Sequence, residues 1–243
     1  MKTTPELSIV IPAYNEALRL PDTLKKIADY IGKQSWQTEV LVVEDGSQDE
    51  TPQIVAQLIA DYPLPLRLLT LSDNQGKGAA VRRGILAVKG DFLLLTDADN
   101  ATPIEELGRL WPHRQTAEII VGSRYLMASR IKRKQPWPRR ILSRIGNLLI
   151  RAATGLKLSD TQNGFKLFER QAAHDIFKRA TIDRWGFDIE ILTIASVHGY
   201  RILEVPVSWY DAAGSKLRAG RDAWITLREL NRIRRNRQKG LYA

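Results

Sequence analysis

The stretch GDFLLLTDADN, residues 90–100, decides how the chain is read. An unbroken apolar run, Phe92 to Leu95, gives way at Thr96 to a polar loop that carries carboxylates at i and i+2, Asp97 and Asp99. A strand without polar alternation is covered on both faces, which is the habit of parallel sheets flanked by helices. Similar runs recur at residues 7–12, 39–45, 66–71 and 118–122, and the intervening patterns predict helices over 21–31, 51–61, 77–88 and 104–110. The expected fold class is therefore α/β, a mostly parallel sheet with helices on both faces. Ligands of such sheets bind beyond the carboxyl ends of the strands. That rule selects four loops: PAYNE at 12–16, EDGSQDE at 44–50, SDNQGKG at 72–78 and TDADN at 96–100.

The second half is built differently. Residues 139–156 place Ile141, Ile145, Leu148 and Ala152 on one helical stripe and Arg140, Arg144, Asn147 and Arg151 on another face, the pattern of a basic amphipathic helix. A short strand is expected at 165–168, a helix at 188–197 and a strand at 201–209. The last helix, 222–237, carries Arg221, Arg228, Arg232, Arg235 and Lys239 at helical spacing on one side. No repeat or linker interrupts the chain, so a single domain over 1–243 is expected, divided functionally near residue 125.

Charge follows the same division. The chain has 37 basic and 27 acidic side chains, a net of +10, which favours polyanions. Residues 119–159 hold ten Lys or Arg and no acid, and residues 214–243 hold nine bases against two acids, so the remainder is an acidic body. The bases lie over Leu and Ile stripes without an aromatic platform, which favours an anionic membrane surface and argues against nucleic acid. Trp137, between two prolines in the basic segment, fits the same interface. With no cysteine, disulfides, thiolate metal sites and thiol nucleophiles are excluded. The N-terminus has no apolar h-region, and no stretch free of charge reaches the roughly 20 residues of a spanning helix, so peripheral attachment is expected. His113, His174 and His198 share no metal-ligand spacing.

Three features carry chemistry. Asp97 and Asp99 offer hard oxygens to Mg²⁺ or Mn²⁺, ions that share their shell with substrate phosphates. A lone Asp-x-Asp is ordinarily a polar turn; its place directly after a buried strand is what favours the metal. Glu44, Asp45 and Asp49 form a second acidic loop, in which Ser47 or Asp49 is expected to cap the helix near Thr51. The NQGKG loop combines glycines with a helix start that suits an anion, and it matches neither a Walker A loop nor a dinucleotide fingerprint.

Taken in order, IPAYNE, VEDGSQDET, NQGKGAAVRRG, TDADNAT, VGSR, DTQNGFKLF, RWGFDIEIL and EVPVSWYDAAGSKL resemble the inverting nucleotide-sugar glycosyltransferases of family 2, above all the branch that glycosylates dolichyl and other polyprenyl phosphates. The resemblance spans residues 7–217. It implies a GT-A fold, a nucleotide-sugar donor, a divalent metal and a polyprenyl-phosphate acceptor. Together with the basic interface helices read above, a peripheral place on the cytoplasmic face of a membrane is expected. The resemblance names no protein partner. Residues 1–125 become the nucleotide-sugar half and 126–243 the acceptor and interface half.

By the same resemblance, Pro12, Tyr14 and Glu16 contact the donor nucleotide, Val43 and Asp45 form its base pocket, and Asp97, Ala98 and Asp99 hold metal and diphosphate. Arg124 stands near the reacting phosphates, and Lys216 belongs to a closing loop. Arg139 and Ser143 fall where acceptor-phosphate ligands lie. Asp188 lines the site where hydroxyl-acceptor members keep a base, and Glu190 is expected to be structural. Mannosyl members carry Gln where this chain has Ala101, which favours UDP-glucose over GDP-mannose. A mannose synthase and a transferase to a hydroxyl acceptor remain the alternatives.

Overall fold

The computed structural model describes residues 4–61, 65–131, 146, 149–210 and 219–242. In chain order the elements are β1 (Leu7–Ala13), α1 (Leu20–Ile31), β2 (Thr38–Glu44), α2 (Thr51–Asp61), β3 (Leu66–Thr70), α3 (Lys77–Ala87) and β4 (Phe92–Leu95). A helical passage around α4 (Leu107–Leu110) leads to β5 (Ile119–Ser123) and β6 (Arg130–Ile131). Then come β7 (Lys166–Glu169), α5 (Arg170–Arg179), α6 (Phe187–Val197), β8 (Ile202–Pro206), β9 (Ser208–Trp209) and α7 (Ala219–Gln238).

Seven strands form one sheet in the order β3-β2-β1-β4-β7-β5-β8, and β6 pairs with β9 in a second, two-stranded sheet. All main-sheet pairs are parallel except those of β7, which runs antiparallel between β4 and β5. The reversal matters for the site. It brings the start of β7, where Lys166 faces Leu95 and Val121, to the carboxyl ends of β4 and β5. The chain order also reverses at β1, whose neighbours are β2 and β4, so a ligand crevice opens between the loops that follow β1 and β4.

Both faces of the central strands are buried, which explains their unbroken apolar runs. In β1, Leu7, Ile9 and Ile11 face one core with Leu20, Leu24 and Ile27 of α1. Val10 faces the other core, with Ala80 and Ile85 of α3, Ile176 of α5 and Ile189 of α6. Helix α5 is absent from the sequence-based expectation, although Ala172, Ala173, Ile176 and Phe177 form its buried stripe and the Glu169 side chain caps the Ala172 N–H. Residues 201–209, expected as one strand, divide into β8 and β9.

Of the two basic segments, the first lies largely outside the described residues: 132–145, 147 and 148, with Trp137, are not described. Its end is helical at 149–154 and stops at Gly155, whose φ of 74° suits glycine. In α7 the amphipathic pattern holds: Leu230 and Ile233 are buried, whereas Arg228, Arg232, Arg235 and Lys239 are exposed. No helix among the described residues is long and apolar enough to cross a membrane.

At the opposite end of β5 and β8, Arg201 Nη2 lies 2.5 Å from Glu118 Oε1. Hydrogen bonds from Arg201 lower the Glu118 pKa from the ordinary 4.5 to about 2. A lowered carboxylate stabilises the fold above its unfolded pKa and loses that contribution as pH falls through the folded one. Wild type is therefore expected to be more acid-resistant than Arg201→Gln above pH 4.5, with the difference vanishing as pH approaches 2. Acid titration of unfolding, followed by circular dichroism, checks this; a difference that persists below pH 2 contradicts it.

Candidate active site

The loops after β1 and β2 are sewn together before any ligand is considered. The N–H groups of Asn15, Glu16 and Ala17 donate to Ser47 Oγ (2.9 Å), Thr51 Oγ1 (2.8 Å) and Asp49 Oδ2 (3.2 Å). Asp49 also accepts from the Thr51 N–H at 3.0 Å, so it is the cap of α2 and Ser47 is not. Asn15 adopts a φ of 53°, which turns the chain sharply out of β1. Tyr14 and Glu16 stand on this turn; the Glu16 carboxylate is forked by Arg19, whose Nη1 reaches 3.7 Å from Asp99. Thus the first loop and the Asp97–Asp99 loop form one wall. Thr23 Oγ1 completes it by donating to the Ala98 carbonyl at 2.8 Å.

Val43 and Asp45, expected in the base pocket, are both buried. Val43 is fully buried against Val10 and α3. The Asp45 carboxylate accepts from Asn74 Nδ2 (3.0 Å) and from the N–H groups of Gln75 and Gly76 (2.9 Å each). It ties down the NQGKG loop. Gly76 has a φ of 106°, and a Cβ there would lie 2.5 Å from the Asp183 carbonyl oxygen, so this position requires glycine.

Asp97 and Asp99 sit where β4 ends, and their environments separate them. Asp97 Oδ1 is 2.6 Å from Lys77 Nζ. Burial opposes its charge, but Lys77, Lys166 and Arg124 together hold its pKa below the ordinary carboxylate value. For Asp99, burial and the Asp97 charge raise the pKa, against the Ala101 N–H, Arg19 and Lys77. Burial also opposes the Lys77 charge, yet Asp97 and Asp188 raise its pKa above normal. Two hard carboxylates whose mutual repulsion is incompletely relieved fit a divalent cation that brings further oxygen ligands with its substrate. No group of three or more His, Cys, Asp or Glu placed to hold a metal ion occurs among the described residues, so the protein supplies a pair rather than a complete cage.

Gly164 makes the closest approach to this pair. A Cβ on it would lie 2.2 Å from Asp97 Oδ2, so only glycine lets the turn before β7 pass beneath the carboxylate. Gly164→Ala is expected to displace Asp97, lowering kcat/KM about 10²-fold, the usual cost of a misplacement near 1 Å, while the chain still folds. Steady-state kinetics and circular dichroism check it; near-normal turnover contradicts the expectation.

Arg124 and Asp188 flank the carboxylates, each with a fixed partner. The Arg124 guanidinium forks onto Asp160 at 2.7 and 2.9 Å, and its centre lies 5.5 Å from the rings of Tyr125 and Trp209. Asp160 is itself held by its own N–H, which donates to Glu204 at 2.9 Å. Burial opposes the Arg124 charge, but Asp160 raises its pKa, so it is a permanent cation beside Asp97. Asp188 bonds Lys166, whose ammonium is fully buried and also donates to the Asn163 carbonyl at 2.5 Å. Burial raises the Asp188 pKa, and Lys166 and Lys77 oppose that rise. Asp188 is thus an ion-paired wall of the site rather than an unengaged base. Glu190 is structural, accepting from Thr181, Ile182 and the Tyr242 hydroxyl.

The geometry brings together Asp97, Ala98, Asp99, Arg124 and Asp188, with Tyr14 and Glu16 on the adjoining loop. Arg139, Ser143 and Lys216 lie outside the described residues. Sequence reasoning missed Lys77, Lys166, Asp160 and Arg19. Lys166 left a signal, a lone cation inside the apolar run FKLF of a central strand. Lys77 stood in NQGKG, a loop read for its glycines and its helix start and not for its lysine.

Comparison with known proteins agrees with this architecture. The dolichyl-phosphate beta-glucosyltransferase of Dictyostelium discoideum is 38% identical over 223 residues, covering 87% of this chain and 68% of that protein. The Homo sapiens protein of the same name is 34% identical over 229 residues, covering 88% and 70%. Among solved structures, glucosyl-3-phosphoglycerate synthase from Mycobacterium tuberculosis, in complex with Mn²⁺ and UDP-glucose, superposes with a TM-score of 0.64 at 19% identity, covering 94% of this chain and 80% of that one. A mannosyltransferase from Pyrobaculum calidifontis, in complex with GDP-mannose and Mn²⁺, gives 0.58 at 22% identity, covering 99% and 64%. Both share the GT-A fold expected from the sequence. Residues 8–177, from the first strand through the antiparallel one that carries Lys166, match glycosyl transferase family 2, and the chain belongs to that family of glycosyltransferases.

Proposed function

We propose that the protein transfers glucose from UDP-glucose to a polyprenyl phosphate of the dolichyl type, with inversion, at a membrane surface. The observation that carries the reading is the likeness, over 87–88% of the chain, to dolichyl-phosphate beta-glucosyltransferases. The site's chemistry agrees with it.

In the proposed reaction an ionised phosphate oxygen of the acceptor attacks the anomeric carbon as the bond to the UDP diphosphate breaks, so an α-linked donor gives a β-linked product. That nucleophile is already deprotonated near neutrality and needs no general base. The pairing of Asp188 with Lys166 is consistent with this, since a base would have to be free of such a partner. The site's task is to hold two anions close together, and Arg124, fixed by Asp160, supplies a positioned positive charge for it. Pro12, Tyr14, Glu16 and the backbone near Val43 and Asp45 hold the nucleotide. Asp97 and Asp99 would hold Mg²⁺ or Mn²⁺, which when bound would offset charge on the leaving diphosphate. Arg139 and Ser143 meet the acceptor phosphate, Lys216 closes over the donor, and the exposed arginines of α7 rest on anionic lipid at the cytoplasmic face.

Purified protein incubated with labelled UDP-glucose or GDP-mannose, polyprenyl phosphate and Mn²⁺ or Mg²⁺ tests the reading. An organic-extractable glucolipid from UDP-glucose is expected. Labelled lipid from GDP-mannose alone overturns the choice of sugar, and no labelled lipid from either donor overturns the acceptor.

A further inference from the structure

Lys77 opens α3 and reaches across the crevice to Asp97, so the candidate metal site already contains a cation of the protein's own. Its Nζ lies 5.8 Å from the ring centres of Trp185 and Phe187, which flank the ammonium. Around it stand three carboxylates, Asp97, Asp99 and Asp188, against two ammonium groups, Lys77 and Lys166, and the Arg124–Asp160 pair adds no net charge to the count. With Lys77 in place the cluster holds one net negative charge; without it, two.

The neighbouring loop also assigns Lys77 a second destination. In NQGKG the N–H groups of Gln75 and Gly76 are spent on Asp45, so they do not serve an arriving phosphate. Lys77 follows at once, and its side chain carries a positive charge at a helix start that favours an anion. Gly76 and Gly78 fix the backbone on either side by packing against the carbonyls of Asp183 and Ile182. A lysine is a point charge on a flexible stem, able to change partner while that backbone stays still.

We infer that Lys77 is a placeholder cation: paired with Asp97, it keeps the Asp97–Asp99 pair from taking a divalent ion alone, and it yields when a nucleoside diphosphate offers it new oxygens. Metal and donor then enter as a unit. This rests on the reading of Asp97 and Asp99 as metal ligands, and it assigns a residue that sets the order of loading. A chain that must first break an ion pair binds metal more weakly by the fraction of time the pair is open.

Titration of the full chain with Mn²⁺, with and without UDP, followed by electron paramagnetic resonance of the free ion, tests the inference without turnover. Wild type is expected to bind Mn²⁺ weakly alone and at least about tenfold more tightly with UDP, a ratio worth ~1.4 kcal/mol. Lys77→Met is expected to bind Mn²⁺ alone about tenfold more tightly than wild type and to gain less from UDP. Lys77→Gln, which keeps a hydrogen-bond donor and loses the charge, is measured beside it so that a folding defect in one variant leaves the other to decide. Variants that bind Mn²⁺ alone no better than wild type, or gain as much from UDP, overturn the placeholder role and leave the metal assignment standing. Failure of every protein to bind Mn²⁺ even with UDP overturns both.

Discussion

Asp99→Ala is expected to lower kcat/KM about 10³-fold or more while the melting temperature stays level or rises. Asp99 bears the unfavourable half of the carboxylate pair: burial and the Asp97 charge raise its pKa, so its ionised form costs stability in the fold. Removing it relieves repulsion and forfeits one hydrogen bond, from the Ala101 N–H at 3.0 Å, together with the Arg19 contact at 3.7 Å. Such a carboxylate is retained for function, since stability alone disfavours it. Comparing kinetics with thermal unfolding separates the two effects. Near-normal turnover in this variant contradicts the role of Asp99, and a large drop in melting temperature contradicts the electrostatic account.

Lys166→Met is the substitution expected to cost the most stability, about 3–5 kcal/mol, because it leaves the buried Asp188 without its cation. For a domain of this size the loss lowers Tm by roughly 10 °C. Lys166 is fully buried in a central strand and its ammonium binds both Asp188 and the Asn163 carbonyl, so no solvent stands ready to replace it. The double variant Lys166→Met with Asp188→Leu is expected to recover most of that stability, because an apolar pair of similar volume avoids the desolvation of both charges. Its activity is expected to stay low, since Lys166 also helps to keep Asp97 ionised. A double variant that regains turnover along with stability contradicts a part for this ion pair in the site.

The fold was legible because its signal is one-dimensional. Strands β1 to β5 are written as apolar runs, and the loops that follow β1 to β4 supply the site because connectivity makes them the carboxyl ends. Asp97 and Asp99 followed from that rule and the residue types. What stayed hidden depends on partners distant in sequence. Nothing near Asp45 shows that loop 74–76, thirty residues on, consumes its carboxylate. Nothing near Arg124 shows that Asp160 will fork it. Asp188 reads as an available acid until the antiparallel β7 delivers Lys166 to it.

The sequence by itself determined the α/β class, the strands that build the site, the carboxylate pair at the end of β4 and the family, because periodicity and ordered local motifs carry that information. Only the tertiary structure decided which charges are engaged. Burial and ion pairing depend on what the fold places within a few ångströms, and that distance bears no fixed relation to separation along the chain. Reversal of β7 in an otherwise parallel sheet brings Gly164 and Lys166 against the Asp97 loop and the first turn of α6, and so converts a row of acidic motifs into a balanced site.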